Sequence, residues 1–119
     1  MIKWTSALAL AAIFVSGCVS FPEEKPVYTG YLRGNYVSVA DCSFLSLQQK
    51  FGQINRIEIP SQKAIQLSQG DHELVRWRMD IADASDGRSH LTFRSGRAIW
   101  GVTHYLDQVM PSVRSCAPE

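Results

Sequence analysis

Residues 74–94 of this 119-residue chain read LVRWRMDIADASDGRSHLTFR and contain two runs in which apolar and polar side chains alternate. Successive side chains of a β-strand point to opposite faces, so this alternation predicts strands with one buried face. The first run places on one face Val75, Trp77, Met79 and Ile81. The second run returns with Leu91 and Phe93 on one face, after an Asp86-Gly87 pair that is typical of a turn. The stretch therefore predicts an antiparallel hairpin with a connection slightly longer than the tightest type.

Two shorter strands are predicted before this hairpin. Ile57 and Ile59 alternate with Arg56 and Glu58. After a turn that contains proline, residues 64–68 form a second, weaker strand. We therefore expect a sheet of three or four antiparallel strands.

An amphipathic helix is predicted ahead of the strands. Ser38 is a candidate N-cap, and Asp41 three residues later gives a start similar to a capping box. Gly52 is suited to the position just after a helix. The apolar stripe at helical spacing consists of Ala40, Phe44, Leu47 and Phe51.

A second helix is predicted after the strands, starting near Arg97. Its apolar residues at helical spacing are Ala98, Ile99, Val102, Tyr105, Leu106 and Val109. Pro111 is expected to end or kink this helix, because proline lacks the amide hydrogen and its ring clashes with the preceding turn. Two amphipathic helices can cover the apolar face of a sheet. The expected fold is an α+β two-layer sandwich, with two helices on one face of the sheet, in the order α-β-β-β-β-α.

The first residues have the features of a secretory signal peptide. Lys3 gives a positive start, and residues 4–15 form an apolar stretch shorter than the roughly 20 residues of a membrane span. Residues 15–18, Val-Ser-Gly-Cys, resemble the lipobox of bacterial lipoprotein precursors. The resemblance implies a diacylglyceryl thioether on Cys18, removal of residues 1–17, and acylation of the new amino group with a fatty acid such as palmitate.

The same resemblance bears on location and on domain boundaries. An aspartate after the lipidated cysteine tends to retain lipoproteins at the inner membrane, so Val19 favours the periplasmic face of the outer membrane. Pro22 and Pro26 punctuate the next segment, which has no helical or strand period. Residues 18–34 are therefore expected to form a lipidated, flexible tether, and residues 35–119 a single small domain.

Two cysteines remain once Cys18 is acylated. In an oxidising envelope, Cys42 and Cys116 are expected to form a disulfide that ties the two helices together. The alternative is two separate buried thiols. In the chain-entropy model, a bridge that closes so long a loop stabilises the fold by at most about 4–5 kcal/mol.

Charge and motifs exclude several classes of function. The formal net charge is +1, and the mature chain without Lys3 is close to neutral, which argues against a nucleic-acid partner. No sequence motif of nucleophilic, phosphate-binding or zinc chemistry is present. The residues that could form a dispersed site are Ser43, Ser46, Asp71, His72, His90, His104 and Asp107. With two cysteines oxidised, a set of four zinc ligands cannot be assembled from the sequence, so we expect no metal, no cofactor and no enzymatic activity.

Basic side chains are predicted on the sheet face that points away from the helices. These are Arg56, Arg76, Arg78, His90 and Arg94. Guanidinium groups match carboxylates and phosphates, so this face could bind an envelope protein or an anionic envelope polymer. The alternative is a solvated face in which Glu58 and Asp80 pair with the arginines across strands.

These features favour a non-catalytic accessory or binding role at the cell envelope. Residues 27–28 (Val-Tyr), 34–36 (Gly-Asn-Tyr) and Asp41 resemble the start of the small lipoprotein of the outer-membrane-protein assembly machine. That family continues with a second helix where this sequence predicts strands, so its function is not assigned here. The alternatives are an inhibitor of a periplasmic or host enzyme and a small envelope enzyme with a dispersed site. Known lysozyme-inhibiting lipoproteins are β-barrels, and the two predicted helices argue against that class.

Overall fold

The computed structural model describes residues 25–70, 74–96, 101 and 103–117. The elements in chain order are β1 (Tyr28–Arg33), α1 (Tyr36–Phe51), β2 (Asn55–Ile59), β3 (Ala64–Gly70), β4 (Val75–Asp83), β5 (Arg88–Ser95) and α2 (His104–Cys116). Within these ranges, no helix is long and apolar enough to cross a membrane. The predicted signal peptide and Cys18 lie outside the described residues.

One antiparallel sheet contains all five strands in the order β1-β5-β4-β3-β2. The hairpin predicted from the alternating stretch is confirmed as β4 and β5. Their register runs from Trp77 opposite Ser95 to Asp83 opposite Ser89. A short connection with Gly87 at positive φ joins them. This hairpin is the centre of the sheet, because β1 and β3 pair with its two outer sides.

The first strand lies in the segment that was expected to be a tether. It pairs along its whole length with β5, from Tyr28 opposite Phe93 to Arg33 opposite Arg88. Leu32 is the one fully buried side chain of β1, so apolar and polar residues alternate too weakly for this strand to be predicted from the sequence. The fold is α+β with an antiparallel sheet and two helices, as predicted. The expected three or four strands and the α-first order are wrong, because the observed order is β-α-β-β-β-β-α.

The core lies between the helices and one face of the sheet. Trp77 is fully buried, its ring stacks on Phe93 at 5.9 Å between centroids, and its Nε1 donates to Gln69 Oε1 at 2.9 Å. Such a partner matters because a buried indole N–H without one loses a hydrogen bond. The other large side chains in this core are Leu32, Leu47, Ile65, Leu67, Met79, Ile81, Leu91, Val109, Met110 and Val113.

Helix α1 starts three residues before the predicted position. The side chain of Asn35 accepts a hydrogen bond from the Val37 amide at 2.9 Å, so Asn35 is the N-cap and the assignment to Ser38 is wrong. Gly52, with φ of 86°, follows the helix as predicted. The predicted apolar stripe faces the core, with two members buried and two half-buried: Ala40, Leu47, Phe44 and Phe51.

Pro111 was expected to end or kink helix α2, and the first of these alternatives is wrong, because the helix continues beyond Pro111 to Cys116. Val113, two residues after Pro111, is fully buried, and Lys50 of α1 donates through Nζ to the Gln108 carbonyl. These contacts with α1 and the core hold the helix together where the proline removes one hydrogen bond. The predicted start of this helix at residues 97–100 lies outside the described residues.

A disulfide joins the two helices. Cys42 of α1 and Cys116 of α2 have their Cα atoms 5.8 Å apart and are 74 residues apart in the sequence. The predicted pairing is therefore confirmed. The closed loop contains β2, β3, β4 and β5 and thus most of the sheet.

Reduction of this disulfide should lower the melting temperature by well over 10 °C. The bridge is worth up to about 4–5 kcal/mol by loop closure, and about 1 kcal/mol corresponds to about 4–8 °C in a domain of this size. Circular dichroism melts with and without reductant measure the change. The double variant Cys42→Ser/Cys116→Ser is the control and should match the reduced protein. A shift of less than about 10 °C would contradict this prediction.

Candidate binding site on the open face of the sheet

The open face is the side of the sheet that points away from α1 and α2. Cross-strand register decides which of its side chains are neighbours. One row crosses the sheet through Asn55, Ser68, Arg78 and Arg94. The next row contains Ile57, Gln66, Asp80, Thr92 and Thr29. The third contains Ile59, Ala64, Ala82, His90 and Tyr31, and the last pairs Arg88 with Arg33.

The first pair of arginines, Arg78 and Arg94, has one carboxylate beside it, that of Asp80, which forms an ion pair with Arg94. Arg78 lies directly opposite Arg94. Asp80 accepts from Arg94 Nη1 at 3.3 Å through Oδ2 and from Gln66 Nε2 at 3.0 Å through Oδ1, so it pairs with Arg94 and not with Arg78. Arg78 has no ion pair within the described part of the chain, and its buried Nε has no hydrogen-bond partner there. Within the described ranges, no carboxylate therefore pairs with the positive charge of Arg78.

A second pair of arginines lies at the other end of the open face. Arg88 is directly opposite Arg33 and lies 4.7 Å from the centroid of the Tyr31 ring. That ring is 4.8 Å from the His90 ring, and 53% of the tyrosine is exposed. Neither arginine forms an ion pair with another described residue. Arg94 is six residues from Arg88 along β5, so the two pairs are about 20 Å apart.

Arg56 does not lie on the open face, and its predicted position is wrong. It is opposite Leu67, whose side chain is in the core, so Arg56 points to the helix side of the sheet. There its Nη1 donates to Glu58 at 3.0 Å and its Nη2 to Asp41 of α1 at 2.8 Å. The hydrogen bond to Glu58 is the largest cause that raises the pKa of Arg56 above its ordinary value, and the hydrogen bond and charge of Asp41 raise it further, while desolvation acts in the opposite direction. Arg56 therefore ties β2 to α1.

A β-bulge removes Arg76 from the predicted row. The register shifts at Gly70, which lies opposite Val75, while Trp77 keeps its place in the core, so Arg76 has no partner on β3. Val75 was predicted to lie in the core, but 48% of this residue is exposed. Arg76 lines a separate depression beside Phe51 of α1. The other three predicted residues do lie on the open face: Arg78, His90 and Arg94.

Within the described ranges, the residues considered for a dispersed catalytic site lie on three different elements, with Ser43 and Ser46 on α1, His90 on β5, and His104 and Asp107 on α2. His104 Nε2 lies 3.0 Å from Gln108 Nε2 on its own helix, and its ring contacts Tyr105. Ser43 is buried in α1, and its hydroxyl has no hydrogen-bond partner among described residues. In the same ranges, no three side chains of His, Cys, Asp or Glu come close enough to hold a metal ion. Asp71 and His72 lie outside the described residues.

Sequence reasoning missed three residues of the open face: Tyr31, Arg33 and Arg88. Two of them lie on β1, which was assigned to the tether, so their neighbours on β5 could not be identified. The signal in the sequence is a weak alternation in which Leu32 is flanked by Tyr31 and Arg33.

Comparisons of the chain with protein-family models, with curated proteins and with solved structures found no match. A functional assignment therefore depends on the charge and geometry of the open face.

Proposed function

We propose that this chain is a lipid-anchored protein of the bacterial cell envelope with a non-catalytic binding role, and that it holds an anionic partner against the open face. The observation that carries the proposal is the pair of directly opposed arginines at each end of that face. An envelope protein with an acidic patch, or an anionic envelope polymer, has the complementary charge.

The directly opposed arginines do not stabilise the sheet, and this supports a role for them in binding. Like charges directly opposite each other destabilise an antiparallel pair, and an acid opposite each arginine would be more stable. Among the described residues, Asp80 lies in the row next to Arg78, and Asp86 lines the same depression as Arg33 and Arg88, but neither carboxylate forms an ion pair with these three arginines. Carboxylates or phosphates of a partner would complete the coordination of Arg33, Arg78 and Arg88.

The anchor rests on the lipobox-like residues 15–18 and places the open face near a membrane. Because β1 begins at Tyr28, residues 19–27 separate the acylated Cys18 from the sheet. Nine residues span no more than about 30 Å. The partner would therefore be reached close to the bilayer, at the periplasmic face of the outer membrane if Val19 acts as proposed.

We predict that Cys18 carries fatty acid and that Cys18→Ala leaves a precursor that is not attached to membrane. Several buried acyl chains, at about 0.8 kcal/mol per methylene, make the attachment practically permanent. Cells labelled with an alkyne fatty acid, followed by fractionation, test this. Equal label on the wild type and on Cys18→Ala would show that another residue is modified.

We predict that a photo-crosslinking residue in place of Thr92, at the middle of the open face, captures a partner in cells. The matched control replaces Gln49, which is exposed on α1. Adducts should form at position 92 and not at position 49, and the double change Arg78→Gln/Arg88→Gln should reduce them. Immunoblots of the crosslinked protein give the yield. Adducts at position 92 that persist in the double variant would contradict an electrostatic binding face.

We predict that Arg33→Glu makes the protein more stable. It replaces a like-charge pair with an opposite-charge pair across from Arg88, a change worth about 0.2–1 kcal/mol, reduced by solvent screening at so exposed a site. Thermal melts should show a rise of a few degrees that shrinks in high salt, since salt screens exposed charges. Arg33→Gln is the control and should give a smaller rise. A lower melting temperature in Arg33→Glu would mean that Arg33 already has a stabilising partner.

A further inference from the structure

A depression of about 740 Å³ lies at the β2 side of the open face. Its floor is formed by two small residues of β3, Ser68 and Gly70, while Ile57 of β2 and Val75 and Arg78 of β4 form its walls. Sites for small ligands commonly have volumes of about 300–1,000 Å³. Because Ser68 and Gly70 are smaller than the side chains of Ile57, Val75 and Arg78 around them, they leave a groove in the surface of the sheet.

The bulge keeps the floor of this groove open. Gly70 has φ of +136°, and a Cβ added there would lie 2.1 Å from the Leu74 carbonyl oxygen, so no larger residue fits without a backbone shift. The Asn55 side chain donates through Nδ2 to the Gly70 carbonyl at 3.0 Å, which ties β2 to the same point. The shift in register at Gly70 is also what exposes Val75. One irregularity thus creates both the floor and one wall.

The walls combine apolar surface with an uncompensated charge. Ile57 is 52% exposed and Val75 is 48% exposed, on opposite sides of the floor. Single exposed aliphatic side chains are common on protein surfaces. Here two of them flank the guanidinium of Arg78, which has no carboxylate partner in the described part of the chain. The groove therefore presents an aliphatic contact beside an anion contact.

We propose that this groove binds the carboxyl-terminal end of an extended peptide that ends in an aliphatic residue. The terminal carboxylate would pair with Arg78, and the aliphatic side chain would pack against Val75, which lies opposite Gly70 at the bulge. Charge complementarity favours this occupant, since a free carboxylate next to an aliphatic group is the chemistry of a peptide terminus. The Asn55 amide and the Ser68 hydroxyl provide polar contacts for peptide groups. This inference rests on the proposed binding function and specifies one anionic group of the partner.

The test compares two probes on the full chain purified in detergent. One is acetyl-Gly-Gly-Val with a free carboxylate, and the other is the same peptide with a terminal amide. Isothermal titration calorimetry should show at least about tenfold tighter binding of the acid, because hydrogen bonds to charged groups contribute about 1.5–3 kcal/mol. Equal affinity of acid and amide, or no binding of the acid below about 5 mM, would overturn the proposal.

Two variants identify the groove as the site. Arg78→Gln should reduce the preference for the acid to less than about threefold. Ser68→Leu fills the floor and should abolish binding of both peptides. Lys63→Gln, which removes an exposed cation outside the groove, is the matched control and should bind the acid like the wild type. An equal loss in Lys63→Gln and Arg78→Gln would overturn the assignment to the groove.

A third probe and the crosslinking result separate the remaining outcomes. Decanoate, an aliphatic carboxylate without peptide groups, should bind more weakly than the peptide acid, and equal or tighter binding would overturn the choice of a peptide. Melting curves of each variant show that the fold is retained, and the comparison of acid with amide needs no variant. If the peptide acid fails to bind while position 92 still gives adducts that depend on Arg78 and Arg88, the groove inference fails and the proposed binding function stands.

Discussion

The pairing of β4 with β5 is the interaction on which the rest of the structure depends. Its register places Met79 opposite Phe93 on the core side and Arg78 opposite Arg94 on the open side. Because side chains alternate with a period of two, a slip of one residue would exchange the two faces and put arginines in the core. Burial of Trp77 and Phe93 against the helices therefore also determines where the positive charges lie.

The helices and the disulfide complete the layer that this pairing requires. A sheet with one apolar face is stable when other elements pack against that face, and α1 and α2 both pack against it. The Cys42–Cys116 bridge links the two covering elements across a separation of 74 residues, so the strands between them belong to one closed loop. The ion pairs of Arg56 with Glu58 and Asp41 add a polar link between the edge strand β2 and α1. The result is a rigid support under the open face.

The open face is organised differently from the core side. Its rows place arginine opposite arginine at both ends, and the rows between them contain one carboxylate, that of Asp80, among uncharged side chains and His90. A sheet can tolerate such pairs at its surface, where water screens the charges, at a cost in stability that stays small. Guanidinium groups that have no ion-pair partner and are held in a fixed geometry can bind an anionic partner with little reorganisation. The lipid anchor that we propose would keep this surface within a short distance of the membrane.

Local patterns in the sequence alone determined several features. The β4–β5 hairpin follows from alternation and an Asp-Gly turn, α1 from its apolar stripe and Gly52, and the disulfide from the two cysteines left after Cys18. Other features depended on contacts between distant parts of the chain. Strand β1 forms only because β5 offers an open edge. The pairing of β2 with β3 decides which face each side chain of β2 is on, and it places Ile57 on the open face and Arg56 on the side of α1. The bulge at Gly70 reverses the exposure of Val75, and neither residue signals that reversal in the sequence. Local alternation predicts which side chains share a face, whereas tertiary pairing decides which face is buried, because burial depends on what packs against the strand.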